Sequence, residues 1–205
     1  MTVRSPSHQN AIDADPRRSL GSQAHPVIVA VGGLSGTGKS ALARGLAGLI
    51  GPSPGAVIVR SDVVRKRLFG ADETMALPDA AYRSDTADRV YEALSNAAER
   101  ILSQGVSAVL DATYQREADR DELDALAAAH GWRFVGLFLT ADLPTRLARV
   151  EQRRNDASDA TFFVARKQET FATGAVKWHM IDASGTPEET LRQARALLPR
   201  VPGKP

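Results

Sequence analysis

VAVGGLSGTGKSALARGLAG, residues 29–48, joins an apolar run to an alanine- and leucine-rich run through a stretch almost stripped of side chains. Within it, Gly33-Leu34-Ser35-Gly36-Thr37-Gly38-Lys39-Ser40 fits the spacing G-x-x-x-x-G-K-[ST]. A polyphosphate is wrapped by backbone N–H groups, so the chain must pass very close to it, and glycine permits both the approach and a positive φ. The run before the loop, PVIVAVGG (26–33), reads as a buried strand, and KSALARGLAGLIG (39–51) as a helix with a glycine stop. That strand–loop–helix context is what lifts a short motif to a phosphate-binding loop. The helix turns its free N–H groups and the positive end of its dipole toward the same anion. Gly33, Ser35, Gly36, Thr37, Gly38, Lys39, Ser40 and Ala41 are therefore the candidate nucleotide contacts. Lys39 supplies a mobile cation for the β- and γ-phosphates, and the Ser40 hydroxyl can ligate Mg²⁺ between them.

The rest of the chain supports one such domain. It has 205 residues, 43% hydrophobic and 24% charged, which suits a single globular core. A net charge of +2 is too weak to imply a nucleic-acid partner by itself. The lack of cysteine excludes a disulfide framework and a thiolate metal site, and fits a reducing compartment. No apolar run reaches the roughly 18 residues of a membrane span. The first 25 residues have no apolar signal core, and Asp13 and Asp15 argue against a transit peptide. The expectation is a disordered tail over 1–25, a catalytic domain over 26–200, and a cytoplasmic location.

Further strands are expected at GAVIVRSD (55–62), GVSAVLDAT (105–113), WRFVGLFLTA (132–141) and AVKWHMIDAS (175–184). Helices are expected at 63–70, 80–104, 116–131, 142–155 and after Thr186, with Asp142 and Thr186 as caps. Strands alternating with helices imply a parallel sheet covered on both faces, with ligands at the carboxyl ends of the strands. Gly33–Ser40, Asp62, Asp111 and Asp142 then share one rim.

No N-K-x-D guanine motif is present, and AVLDAT lacks the Glu that a AAA-type motor carries after its Asp. A small-molecule kinase needs instead a base, cations and a lid that excludes water. Asp62 reads as that base or as the N-cap of VVRKRLFG; both roles fit. RLARVEQRRNDASDA (146–160) reads as a lid, with Arg146, Arg149 and Arg153 on one helical face and Arg154 beside them. Phe162 and Phe163 read as helix-packing residues, Trp178 as the margin of strand five and His179 as a core histidine. An acceptor-pocket lining is the alternative for these four.

GLSGTGKSALARGLA, RSDVVRKRLFG, VLDATYQREADR and RVEQRRNDASDAT together resemble a family of P-loop kinases labelled AAA-type ATP-binding proteins. Some of its members are fused to an aminoglycoside-phosphotransferase-like domain. The group is akin to the kinase domain of polynucleotide 5′-hydroxyl kinases and, more distantly, to gluconate kinases and zeta toxins. The resemblance implies a three-layer α/β P-loop NTPase fold with a five-stranded parallel sheet in the order 2-3-1-4-5 and a helical lid. It implies ATP and Mg²⁺ as cofactors. It places the base on Asp62, an acceptor-phosphate contact on Arg65, and the lid arginines on Arg149 and Arg153. Arg153 would meet the transferring phosphate. Asp111 and Thr113 would face the acceptor or a Mg²⁺-bound water, with a helix cap as the plainer role for Asp111. Ser40, Asp62 and Asp111 are thus the metal-facing candidates, and Gly185 and Thr186 belong to the adenine-contacting loop.

The leading expectation is an ATP-dependent kinase acting on a hydroxyl of a small metabolite, a sugar among the candidates. The alternatives are a polynucleotide 5′-hydroxyl kinase and an ATP-binding regulator without an acceptor. Aromatic content of 5% disfavours a polynucleotide partner.

Overall fold

The structure, a computed structural model, describes residues 26–152, 159 and 162–198. Five strands form one parallel sheet: β1 (Val27–Gly33), β2 (Val57–Arg60), β3 (Ala108–Asp111), β4 (Arg133–Thr140) and β5 (His179–Asp182), in the order β2-β3-β1-β4-β5. The order and the parallel pairing match those implied by the resemblance.

β1 is apolar along both faces because both are covered. Val27, Val29 and Val31 pack with Leu42, Ala43 and Leu46 of α1 (Lys39–Ala47) and with Ala194 of α7 (Pro187–Leu197). Ile28 and Ala30 face the opposite layer, built from α3 (Ser84–Ser103) and α4 (Glu117–Ala129). Val90, Leu94, Ala98 and Leu102 recur every fourth position on α3 and are its buried stripe. The chain leaves β1 toward the α1 layer and β3 toward the α4 layer. The carboxyl ends of these neighbours therefore open a crevice, where ligands of such sheets bind.

Several expected elements shift. The helix expected from Ala80 begins at Ser84, because Arg83 is extended (ψ 159°) and separates it from a 3-10 turn at Asp79–Tyr82. α2 (Ser61–Leu68) starts two residues early, so Asp62 lies in its first turn and the cap position falls on Arg60. The N-cap reading of Asp62 is thereby corrected. Asp142 and Thr186 do cap α5 (Leu143–Glu151) and α7, the latter through a reciprocal box with Glu189. α6 (Phe162–Lys167) follows α5.

Trp178 belongs to the core. Its buried indole lies across β4 at Gly136, where a Cβ would stand 2.4 Å from Trp178 Cγ, and its Nε1 donates to Asp124. His179 and Phe163 are exposed, against the expectation of a core histidine and a packed phenylalanine. β5 is an edge strand, and Met180 beside His179 is exposed as well, so an apolar run there does not mark burial on both faces.

Candidate active site

The phosphate loop is held from beneath and from one side. Gly33 N–H donates to Thr113 O at 2.9 Å, tying the end of β1 to the loop after β3. Thr37, itself buried, returns its hydroxyl to Leu34 O at 2.8 Å, and Lys39 Nζ donates to the same carbonyl at 3.1 Å. The ammonium is thus folded over the loop that it would serve. At Gly36, with φ +88°, a Cβ would stand 2.4 Å from Arg146 O, so both conformation and space demand glycine.

The side support comes from α5 and the turn after α6. Ser35 N–H donates to Gln168 Oε1 (2.8 Å), and Ser35 O accepts from Arg146 Nε (2.9 Å). Arg146 is 2% exposed and also bonds Glu169 and Ala165 O. It is a buried clamp rather than the solvated or phosphate-facing arginine that its spacing implied. Arg149 donates to Ala183 O (2.7 Å) and Gly185 O (2.8 Å), and so shapes the loop after β5, where Gly185 and Thr186 sit. Arg153 and Arg154 lie outside the described residues.

Beside the loop opens a cavity of about 500 Å³. Ser35, Lys39 and Ser40 line its phosphate end, with Asp62, Arg65, Asp111 and Thr113 around it. Sequence reasoning had named all seven, and the fold brings them together from β1, α1, α2 and β3. Gly185, Thr186 and Arg149 are not among its walls.

One central residue escaped the sequence. Arg60 Nε donates to Asp111 Oδ2 and Arg60 Nη2 to Ser40 Oγ, both at 3.2 Å. Asp111 ends β3 and is buried in this ion pair; it does not cap α4, whose cap position is Arg116. The guanidinium therefore bridges two of the three side chains read as metal-facing, Ser40 and Asp111. A hydroxyl and a carboxylate that already share a cation are hard oxygen donors suited to Mg²⁺, so the residues fit that ion. The signal for Arg60 was its place at the carboxyl end of a strand beside the loop.

The β3–α4 connection forms the cavity floor. Tyr91 Oη lies 3.0 Å from Thr113 Oγ1 and accepts from Tyr114 N–H. Burial pushes the Tyr91 phenol up to about 12, so it stays neutral. Tyr114, with φ +45°, is the non-glycine residue in the left-handed region among those described. Arg120 holds that turn by donating to Tyr114 O and Gln115 O.

An AAA domain family matches residues 28–175. Uncharacterized protein Rv2004c of Mycobacterium tuberculosis (strain ATCC 25618 / H37Rv) is 32% identical over 175 residues, covering 82% of this chain and 34% of the relative. Uncharacterized protein Mb2027c of Mycobacterium bovis matches to the same extent, so the chain spans about a third of the length of these curated relatives. Among solved structures, a gluconokinase from Sinorhizobium meliloti 1021 superposes with a TM-score of 0.59 at 20% identity, covering 84% of this chain and 91% of that one. The Mycobacterium tuberculosis APS kinase CysC, in complex with AMPPNP and APS, superposes at 0.58 with 19% identity, covering 84% and 97%. These two share the fold. By its match over residues 28–175 the chain belongs to the AAA domain family, and its architecture is the α/β P-loop fold.

Proposed function

We propose that this protein is an ATP-dependent kinase that transfers the γ-phosphoryl group to a hydroxyl of a small metabolite. The observation that carries the reading is the cavity itself: the lysine and serine of the phosphate loop, a carboxylate at the start of α2 and an arginine one turn on share one space. A nucleotide switch has no need of that second half.

In this reading the loop from Gly33 to Ala41 binds the β- and γ-phosphates through the Lys39 ammonium and those amides not already given to Thr113, Gln168 and Leu34. Ser40 and Asp111 are the residues that would hold Mg²⁺, which would supply neutralisation of phosphate charge. Asp62 accepts the proton of the attacking hydroxyl as the O–P bond forms and the bond to ADP breaks in line. Arg149 and Arg153 are the proposed lid arginines; an arginine at such a transition state is worth about 10³ to 10⁵ in rate. Gly185 and Thr186 are proposed to contact adenine through a loop that Arg149 orders.

Arg65 bears on the acceptor. Its Nη1 donates to Ala81 O at 2.6 Å and its guanidinium stacks 5.0 Å from the Tyr82 ring centroid. Its buried Nε has no hydrogen-bond partner among the described residues. A buried donor left unpaired costs about 1–3 kcal/mol, so an acceptor oxygen from substrate is favoured there. This observation favours acceptors with an anionic group near the hydroxyl, and keeps a second reading, a polynucleotide 5′-hydroxyl kinase whose 3′-phosphate meets Arg65.

The test is transfer of labelled phosphate from ATP to neutral sugars, sugar acids, aminoglycosides, 3′-phosphorylated nucleosides and 5′-hydroxyl oligonucleotides. Transfer that fails in Asp62→Ala supports the kinase reading. Thermal stabilisation by ATP with no transfer to any acceptor would favour an ATP-binding regulator instead.

A further inference from the structure

The wall of the cavity farthest from the phosphate loop has almost no core of its own. Between Leu68 and Ser84 the chain forms only the 3-10 turn at Asp79–Tyr82, and Ala81 is its one buried residue. Yet three points of this wall converge on a single carboxylate from a distant part of the chain. Asp159 Oδ1 accepts from Lys66 Nζ at 2.9 Å, and Asp159 Oδ2 accepts from Tyr82 Oη at 2.5 Å and from Leu77 N–H at 3.1 Å. Lys66, 1% exposed, also donates to Glu73 O at 2.8 Å, so its ammonium pins the wall at a fourth point. Asp159, Leu77 and Tyr82 all line the cavity. Burial raises the Asp159 carboxyl, but its bonds from Tyr82, Lys66 and Leu77 outweigh this and hold it below the usual range.

The chain that carries Asp159 also bears on the phosphate loop. Arg146 precedes it and holds Ser35 O; Gln168 follows it and holds Ser35 N–H. Both backbone groups of Ser35 are thus committed to residues that flank Asp159 in the sequence. A half-buried carboxylate that takes three hydrogen bonds, one of them an ion pair with a buried lysine, is a costly thing to assemble without purpose. Here it ties the acceptor-side wall to the stretch of chain whose flanks brace the phosphate loop.

We propose that Asp159 is a positioning residue: its carboxylate sets the acceptor-side wall through Lys66, Leu77 and Tyr82, and couples the order of that wall to occupancy of the phosphate loop through Arg146 and Gln168. The inference rests on reading the cavity as the acceptor pocket of a kinase. Nucleotide contacts that tighten the loop around Ser35 favour the arrangement in which Asp159 holds the wall, and a shaped wall favours the loop in return. Such coupling is reciprocal by thermodynamic necessity.

Hydrogen exchange with the full chain, with and without ADP and Mg²⁺, tests this without any acceptor. In wild type, nucleotide should slow exchange in peptides spanning 71–83, the Leu77 amide among them. In Asp159→Asn those peptides should exchange at least about tenfold faster, while β1, β3 and β4 stay protected. Lys66→Met should do the same, and the double variant should be no worse than either single, because the two side chains act as one unit. The nucleotide effect on 71–83 should vanish in both variants, and nucleotide affinity in the absence of acceptor should fall by no more than the factor by which nucleotide slows that exchange in wild type. Unchanged exchange over 71–83 in Asp159→Asn would overturn the positioning role. A nucleotide effect absent from wild type, or equal in wild type and variants, would overturn the coupling. Absence of phosphoryl transfer would fail the kinase reading separately and leave the exchange result standing.

Discussion

Replacing Arg120 with Met should unfold this protein more readily than almost any other single change at a charged residue. The guanidinium is 2% exposed and donates to four backbone carbonyls: Tyr114 O (2.6 Å), Gln115 O (2.9 Å), Thr173 O (2.7 Å) and Ala175 O (2.7 Å). It also lies 5.6 Å from the centroid of the Phe138 ring. Met keeps most of the stem and its packing but removes every donor. Each bond to a charged group contributes about 1.5–3 kcal/mol net, giving a gross loss of roughly 6–12 kcal/mol. Against this stands relief from burying the charge, several kcal/mol. The expected net loss is about 3–5 kcal/mol, in line with removing one side of a buried charged contact. Urea unfolding reads it directly: with a slope near 2 kcal/mol/M, the midpoint should fall by about 1.5–2.5 M. The slope itself should not change. A loss below about 1 kcal/mol, in a variant that still folds, would refute the claim that Arg120 holds the β3–α4 turn to the segment before β5.

Gly136→Ala should cost about 1–3 kcal/mol in the same assay, because the added Cβ meets the Trp178 indole; a neutral result would show that the indole can slide off β4. Arg60→Ala should lower the Mg²⁺ concentration needed to stabilise the ADP complex in a thermal melt, since the guanidinium no longer competes for Ser40 and Asp111; a higher requirement would contradict this. The Asp159 carboxyl is depressed in the folded state, so in acid the unfolded chain binds the proton first and stability rises with pH across that window. Its contribution is complete above the ordinary value of 3.8 and is lost as pH falls through the lower folded value. Asp159→Asn should therefore flatten the acid limb of urea midpoint against pH, and identical slopes in variant and wild type below pH 4 would contradict it.

What could be read in advance were features whose signal is local. The phosphate loop announces itself in eight consecutive residues, and β1 in an apolar run that needs cover on both faces. Asp62 and Asp111 could be named as candidates because strand ends bring rim residues together whatever lies between them, and Thr113 and Arg65 through the family resemblance. The pairings that brace the site were illegible for the opposite reason. Arg60 reaches Asp111 across 51 positions, Arg120 reaches Thr173 across 53, and Lys66 reaches Asp159 across 93. Arg120 gives its hydrogen bonds here to carbonyls, and a carbonyl leaves no trace in a sequence. Arg146, Arg149 and Arg153 share a helical face by spacing, but spacing cannot say what that face meets. Arg146 meets the back of the phosphate loop, and Arg149 the loop after β5. His179 and Phe163 were misjudged because an apolar neighbourhood was taken for burial at an edge strand and on a short helix.

The central claim is that residues 33–41 grip a nucleoside triphosphate while Asp62 serves a second substrate. Calorimetric titration of ATP with Mg²⁺ into wild type, Lys39→Ala and Asp62→Ala tests it most directly. The account predicts that Asp62→Ala binds within about threefold of wild type and that Lys39→Ala binds at least about tenfold more weakly. No binding by wild type, or equal losses in the two variants, would contradict it.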